Sequence, residues 1–176
     1  MMARLAMIVV LVIVAVGCSI ENQQGEPRCE DGNTANLAIQ SVPTASLVFC
    51  FDRLPDGWSV DNVLIDQDGT VIRFDSDRAG DDAAIFHYTE TCDVGDAAYV
   101  VSEHEGAERY ENIERVPPGF LAQRFYTFEG GCMWWEFDFD GDATSSLSIE
   151  LGDRLVTLTR DEVNAQLREV FIDEDL

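Results

Sequence analysis

The sequence predicts an α+β fold: C-terminal helices packed on an antiparallel β-sheet, stapled by disulfides. Three observations predict it. Short apolar or alternating runs, separated by turn residues, fill positions 46–139. Apolar residues at helical spacing follow, from Leu147 to Phe171. Of the five cysteines, one closes an N-terminal apolar run and four remain to pair. Strands first and helices last is the chain order of an α+β domain.

The chain opens on a targeting segment. Arg4 precedes an unbroken apolar run from Leu5 to Val16, 12 residues long. That length suits the h-region of a signal peptide and falls short of a membrane span, which needs about 20 apolar residues. The run ends in Ala15-Val16-Gly17-Cys18, which resembles the lipobox of bacterial lipoproteins, although Ala15 stands where that motif usually has Leu. The resemblance implies cleavage after Gly17 and a lipid on Cys18. The alternative is an uncleaved N-terminal anchor. Residues 18–36 then read as a flexible tether, because they hold Glu, Asn, Gln, Gly, Pro and Asp and little to bury. A single extracytoplasmic domain occupies 37–176.

The strands are read in order. Ser46 to Phe51 is apolar, and Leu54-Pro55-Asp56-Gly57 is a turn. Trp58–Ile65 and Thr70–Asp75 make a hairpin across Asp66-Gln67-Asp68-Gly69. Ala83–Thr89 alternates, with Ala84, Phe86 and Tyr88 on one face, and Ala97–Ser102 is another short strand. Phe120–Phe128 is apolar on both faces and reads as a central strand. In Met133–Phe139, Met133, Trp135, Phe137 and Phe139 face one side, and Trp134, Glu136 and Asp138 the other. Leu147, Leu151, Leu155 and Leu158 recur at helical spacing, weakened by Gly152. Thr159 and Glu162 form a capping-box pattern for a helix over Arg160–Phe171, whose apolar stripe is Val163, Leu167, Val170 and Phe171.

With Cys18 assigned to lipid, Cys29, Cys50, Cys92 and Cys132 suit two disulfides in an oxidising compartment. Of three possible pairings, Cys29–Cys50 and Cys92–Cys132 are favoured. The first ties the polar leader to the first core strand, and the second joins the two core hairpins. A zinc site is the rival reading, but no C-x-x-C spacing occurs.

The run Arg124-Phe125-Tyr126-Thr127-Phe128-Glu129-Gly130-Gly131-Cys132, the stretch Leu158-Thr159-Arg160-Asp161-Glu162-Val163, and upstream Leu54-Pro55-Asp56-Gly57-Trp58 and Cys92-Asp93 carry a resemblance. Together they resemble a family of uncharacterised actinobacterial membrane-anchored or lipoprotein-type extracellular domains, over roughly residues 50–171. The resemblance implies a location and no catalytic site. It also implies that Cys92 and Cys132 belong to the shared domain and that Cys29 and Cys50 are an added pair.

Charge excludes several function classes. The chain holds 34 acidic residues and 11 basic ones, all arginine, for a formal charge of -23. That disfavours nucleic acid and anionic lipid surfaces, which need clustered cations. Cleavage at Cys18 removes 17 of the 176 residues, among them Arg4, and leaves 159 residues at -24. No run of five like charges occurs, so the charge coats a folded surface.

Few constellations carry chemistry. Glu136, Asp138, Asp140 and Asp142 alternate before a glycine turn and are the best cation candidate, with calcium the implied ion. The twelfth position of an EF-hand loop would be Leu147, so the loop is not an EF-hand. The plainer reading is a solvent-facing strand edge and a turn, with Asp142 or Thr144 capping the next helix. Trp134, beside Glu136 and Asp138, could stack on a sugar ring or a cation, or be covered by the C-terminal helices. His87 and His104 are the only histidines, and the acids around His104 would raise its pKa. No G-x-S-x-G, phosphate loop or H-E-x-x-H is present.

The leading expectation is a lipid-anchored, monomeric, non-enzymatic binding domain of the cell envelope. Its membrane contact is the lipid on Cys18, and its partner is an envelope protein or ligand. The alternatives are a carboxylate-based envelope hydrolase and a divalent-cation binder. At -24, self-repulsion opposes the compact state. Added salt should therefore raise the melting temperature in a calorimetric series; a flat series would mean that the charges are too dispersed or too well paired to matter.

Overall fold

Alternating side chains turn a strand into a two-faced surface, and here the apolar faces set the architecture. The structure, a computed structural model, describes residues 28–29 and 38–165. Its strands are β1 (Leu47–Phe51), β2 (Trp58–Asp66), β3 (Gly69–Ser76), β4 (Gly80–Thr89), β5 (Ala98–Val100), β6 (Glu108–Arg115), β7 (Phe120–Phe128), β8 (Gly131–Phe139) and β9 (Leu155–Thr159). Helix α1 spans Ser146–Gly152. Seven strands form one antiparallel sheet in the order β2-β3-β4-β8-β7-β6-β5, and β1 pairs with β9 in a separate two-stranded ribbon. The fold is α+β and carries two disulfides, Cys29–Cys50 and Cys92–Cys132.

The inner face of the sheet is built from the alternation seen in the sequence. Ile72 and Phe74 of β3, Phe86 and Tyr88 of β4, and Met133, Trp135, Phe137 and Phe139 of β8 are all sealed from solvent. The β1–β9 ribbon lies against them. Phe49 packs 4.5 Å from Phe86 and 5.1 Å from Tyr88, while Phe51 lies 5.4 Å from Phe74 and 5.7 Å from Trp135. Such tilted and edge-to-face contacts suit ring quadrupoles, and truncating one buried ring costs about 3–5 kcal/mol. The Tyr88 hydroxyl donates to the Leu47 carbonyl at 3.1 Å, and burial pushes its pKa up to about 12. Leu147 and Leu151 of α1 complete the core.

Three local readings are corrected. Leu155 and Leu158, placed on a helical stripe with Leu147 and Leu151, lie instead in strand β9. The helix stops at Gly152, and Leu155–Thr159 supplies the ladder that β1 requires. β1 is buried along its whole length, and unpaired backbone groups there would be costly. Strand β6 was not foreseen, because Glu-Arg-Tyr-Glu-Asn-Ile-Glu-Arg shows no apolar alternation; β7 pairs it all the same. The expected cap of α1 by Asp142 or Thr144 is also absent. Ser145 occupies the N-cap position and makes no side-chain capping bond.

Other local readings hold. Asp66 Oδ1 accepts from the Asp68 N–H at 2.8 Å, closing the β2–β3 turn. Glu162 Oε2 accepts from the Thr159 N–H at 2.8 Å, and the Glu162 N–H donates to Thr159 Oγ1 at 3.2 Å, the reciprocal pair of a capping box. Residues 160–165 are helical, and the remainder of the expected helix lies outside the described residues, as do Cys18 and most of the tether. Arg160 ties the ends together. Its Nε donates to the Ala45 carbonyl at 2.8 Å and its Nη2 to that of Val42 at 2.6 Å, next to the helical turn at 38–41. In the β7–β8 turn, a Cβ at Gly130 would fall 2.0 Å from the Thr44 carbonyl oxygen, so only glycine fits.

The Cys92–Cys132 bond closes a 40-residue separation. Replacing both cysteines by alanine should lower stability by about 4 kcal/mol on loop-closure grounds, on the order of 10 °C in melting temperature. Differential scanning calorimetry of the double variant checks this; an unchanged melting temperature would show that packing alone holds the 90–97 connection.

Candidate functional site

The outer face of the sheet carries a feature that no single strand displays. Register partners step across all seven strands in one line: Leu64 to Val71, Val71 to His87, His87 to Trp134, then Phe125, Tyr110 and Tyr99. A period of two puts all of them on the face opposite the aromatic core. The His87 ring stacks on Trp134 with centroids 4.3 Å apart and planes 2° from parallel. Phe125 flanks Trp134 on the other side at 6.4 Å, and Tyr99 meets Tyr110 edge to face at 5.8 Å. Tyr99 is 64% exposed and Leu64 42%, so both ends of the strip are open to solvent.

The β4–β5 connection runs over this face. β4 and β5 are separated by β8, β7 and β6, so residues 90–97 must cross three strands. The disulfide from Cys92 to Cys132 pins the crossing at the start of β8. Thr91–Asp96 then form one wall of an open cleft of about 430 Å³, with Asn112, Gln123, Phe125 and Trp134 among its lining. The loop is shaped by its own hydrogen bonds: Asp93 Oδ1 accepts from the Gly95 N–H at 2.9 Å, and the Ala97 N–H donates to the Val94 carbonyl at 3.0 Å. Asp93 and Asp96 give that wall negative charge.

Trp134 is half-buried on this outer face, and the core side holds α1, so the helix does not cover it. One face of the indole is occupied by His87. A ring inserted on the Phe125 side would need about 7 Å, two van der Waals contacts of about 3.5 Å each, against the 6.4 Å present. Face-on stacking of a sugar or cation on Trp134 is therefore replaced by an edge contact within an apolar strip.

The other candidates separate. Glu136 faces His87, with 3.7 Å between His87 Nε2 and Glu136 Oε1. Asp138 accepts from Arg115 Nη2 at 2.6 Å, while Asp140 and Asp142 lie at the turn beyond β8. Among the described residues no group of three or more His, Cys, Asp or Glu side chains converges to hold a metal ion.

A polar network, missed from the sequence, occupies the inner face at the β6–β7 end. Tyr126 donates to Glu103 Oε1 at 2.6 Å, Arg109 Nη1 to Glu103 Oε2 at 2.8 Å, and both Arg109 and Arg124 to Glu111 Oε1. Burial disfavours the Glu103 carboxylate, but hydrogen bonds from Tyr126, its own backbone and Arg109 outweigh that and hold its carboxyl below its ordinary value. Burial likewise opposes charge on Glu111, and bonds from Arg109 and Arg124 prevail. A general acid of a glycosidase needs the opposite shift, so these two carboxylates are not disposed for that role.

His104 belongs to this region and corrects an expectation. Its ring packs edge-on to Tyr126 at 4.9 Å, and its Nδ1 shares a hydrogen bond with Thr157 Oγ1 at 3.2 Å. Burial lowers its pKa below 6.5 and outweighs the opposing Glu103; Arg109 and Arg124 add to the lowering. Burial lowers His87 in the same way, against Glu136 and with Arg73. The Nε2 atoms of both rings are sealed from water and have no hydrogen-bond partner among the described residues.

Comparisons with protein-family models, with curated proteins and with solved structures find no match to this chain.

Both histidines should titrate below 6.5 in an NMR pH series on the imidazole C–H signals. The sign for stability follows. The unfolded chain takes up these protons first, so the contribution is intact above 6.5 and is lost as pH falls through the folded values. A His87→Gln/His104→Gln variant should accordingly lose stability less steeply than the parent between pH 7 and 5; equal slopes would overturn the assignment.

Proposed function

We propose that this chain is a lipid-anchored binding domain of the bacterial cell envelope, with the outer face of its seven-stranded sheet as the docking surface. The observation that carries the reading is the transverse strip from Leu64 to Tyr99, crossed by a disulfide-pinned loop. Register lines up His87, Trp134, Phe125, Tyr110 and Tyr99; Phe125 is buried at the centre, and the strip opens to solvent at Leu64 and Tyr99. Exposed apolar side chains with polar margins, as at Leu64 and Tyr99, suit an interaction site. Asp93, Asp96 and Glu136 border the strip, so the fitting partner is a protein segment with apolar side chains flanked by basic ones.

Location supports the same reading. Two disulfides accord with an oxidising compartment outside the cytoplasm. Among the described residues, no helix is long and apolar enough to cross a membrane. Attachment through Cys18 then confines the domain to the envelope, where a tethered binder gains effective concentration.

Two measurements test the proposal. Cys18→Ala should release the protein from the membrane fraction and block processing at Gly17; unchanged fractionation removes the anchor. A photo-crosslinking residue placed at Tyr99 in intact cells should give an adduct with a basic envelope protein, and the same residue at Asp153 should not. The adduct should weaken with added salt and in an Asp93→Asn/Asp96→Asn variant. Equal labelling from both positions, or none from either, removes the docking surface.

A further inference from the structure

We propose that the cavity between α1 and the inner face of β6 and β7 binds a small carboxylate with a compact apolar body. The cavity measures about 180 Å³. Phe120, Ala122 and Phe137 give it an apolar floor, and Ile113 and Ile149 stand at its mouth, 54% and 52% exposed. Arg124 and Arg109 enter from one side, with Glu111 between them. This site is separate from the outer face and does not rest on the docking surface proposed there.

Arg124 carries the inference. It is 7% exposed, and its guanidinium lies over the Phe137 ring at 5.6 Å from the centroid. A guanidinium has five N–H donors. Arg124 uses one, from Nε to Glu111 Oε1 at 2.6 Å. Its two terminal nitrogens have no acceptor among the described residues. Arg109 Nε is sealed from water and likewise has none. A guanidinium this deeply set normally has its donors engaged by protein or by water. Glu111 accepts from both arginines through the same oxygen, Oε1. Arg109 also pairs with Glu103, which lies outside the cavity lining, so within the lining Glu111 is the one carboxylate beside Arg109 and Arg124.

The shape of the helix agrees. A Cβ at Gly152 would come within 2.7 Å of Arg124 Nη1. The glycine that weakens α1 leaves the room that the guanidinium occupies.

Chemistry and size select the ligand. A guanidinium fork matches the two oxygens of a carboxylate in one plane. A phosphate would bring a second negative charge beside Glu111. The floor asks for an apolar body, and an apolar cavity of about 150 Å³ accommodates benzene. A single ring or a short branched chain bearing one carboxylate fits on these grounds.

The test is a titration of the full chain with benzoate, followed by calorimetry and by NMR. Benzyl alcohol is the neutral isostere and inorganic phosphate the bare anion. Benzoate should raise the melting temperature and shift the Arg124 Nε–H and the Ser148 and Ile149 amides; benzyl alcohol and phosphate should do neither. Arg124→Gln should weaken benzoate about tenfold or more. Because that change also breaks a buried ion pair, Ile149→Glu is the companion: it lies at the exposed mouth, should leave the melting temperature unchanged, and should weaken benzoate by charge repulsion. The proposal is overturned by no response at millimolar benzoate, by equal responses to benzyl alcohol or phosphate, by shifts remote from the cavity, or by undiminished binding in Ile149→Glu.

Discussion

The insertion of Phe49 and Phe51 into the aromatic face of β3, β4 and β8 is the constraint on which the rest depends. Antiparallel sheets commonly bury one face and leave the other in water. Here the buried face is a floor of rings, and β1 is the element that lies on it. A strand sunk that deeply must satisfy its backbone, so β9 pairs with it. The partner comes from the far end of the chain, and Arg160, one residue beyond β9, reaches back to the carbonyls of Val42 and Ala45. One packing requirement thus draws residues 38–51 and 155–160 into a single clip over the sheet.

At the β6–β7 end of the inner face, α1 lies over a cavity rather than over a floor of rings, and the composition changes accordingly. Arg109, Glu111 and Arg124 take inward positions that at the centre of the sheet belong to Phe and Trp. Buried charges persist only when paired. The chain Tyr126, Glu103, Arg109, Glu111, Arg124 supplies that pairing through shared oxygens. Two arginines meet two glutamates there, and the Arg124 terminal nitrogens are left without an acceptor among the described residues.

The two sheet faces divide the labour. The inner face holds the domain together and encloses the arginine-lined cavity. The outer face presents rings at open ends and carboxylates at its border. The acidic excess sits mostly on exposed strand positions and turns, such as Asp66, Asp81, Asp138 and Asp153. It sets what can approach the surface rather than how the chain folds.

Countable or local features were legible in the sequence. Cysteine parity, the alternation in β4 and β8, the β2–β3 turn and the Thr159–Glu162 box depend on neighbours within a few residues, and the structure keeps each of them. Whatever depends on distant partners was not legible. Leu155 and Leu158 fit a helical period, yet β1 recruits them as a strand. β6 lacks any apolar pattern because its inward charges pair with those of β7. Residues on seven strands become one strip only when register aligns them. His104 stands among acids in the chain, yet burial beside Tyr126 and Thr157 lowers its pKa instead. Local chemistry is written in consecutive residues; register, desolvation and cavity walls exist only once the chain has folded.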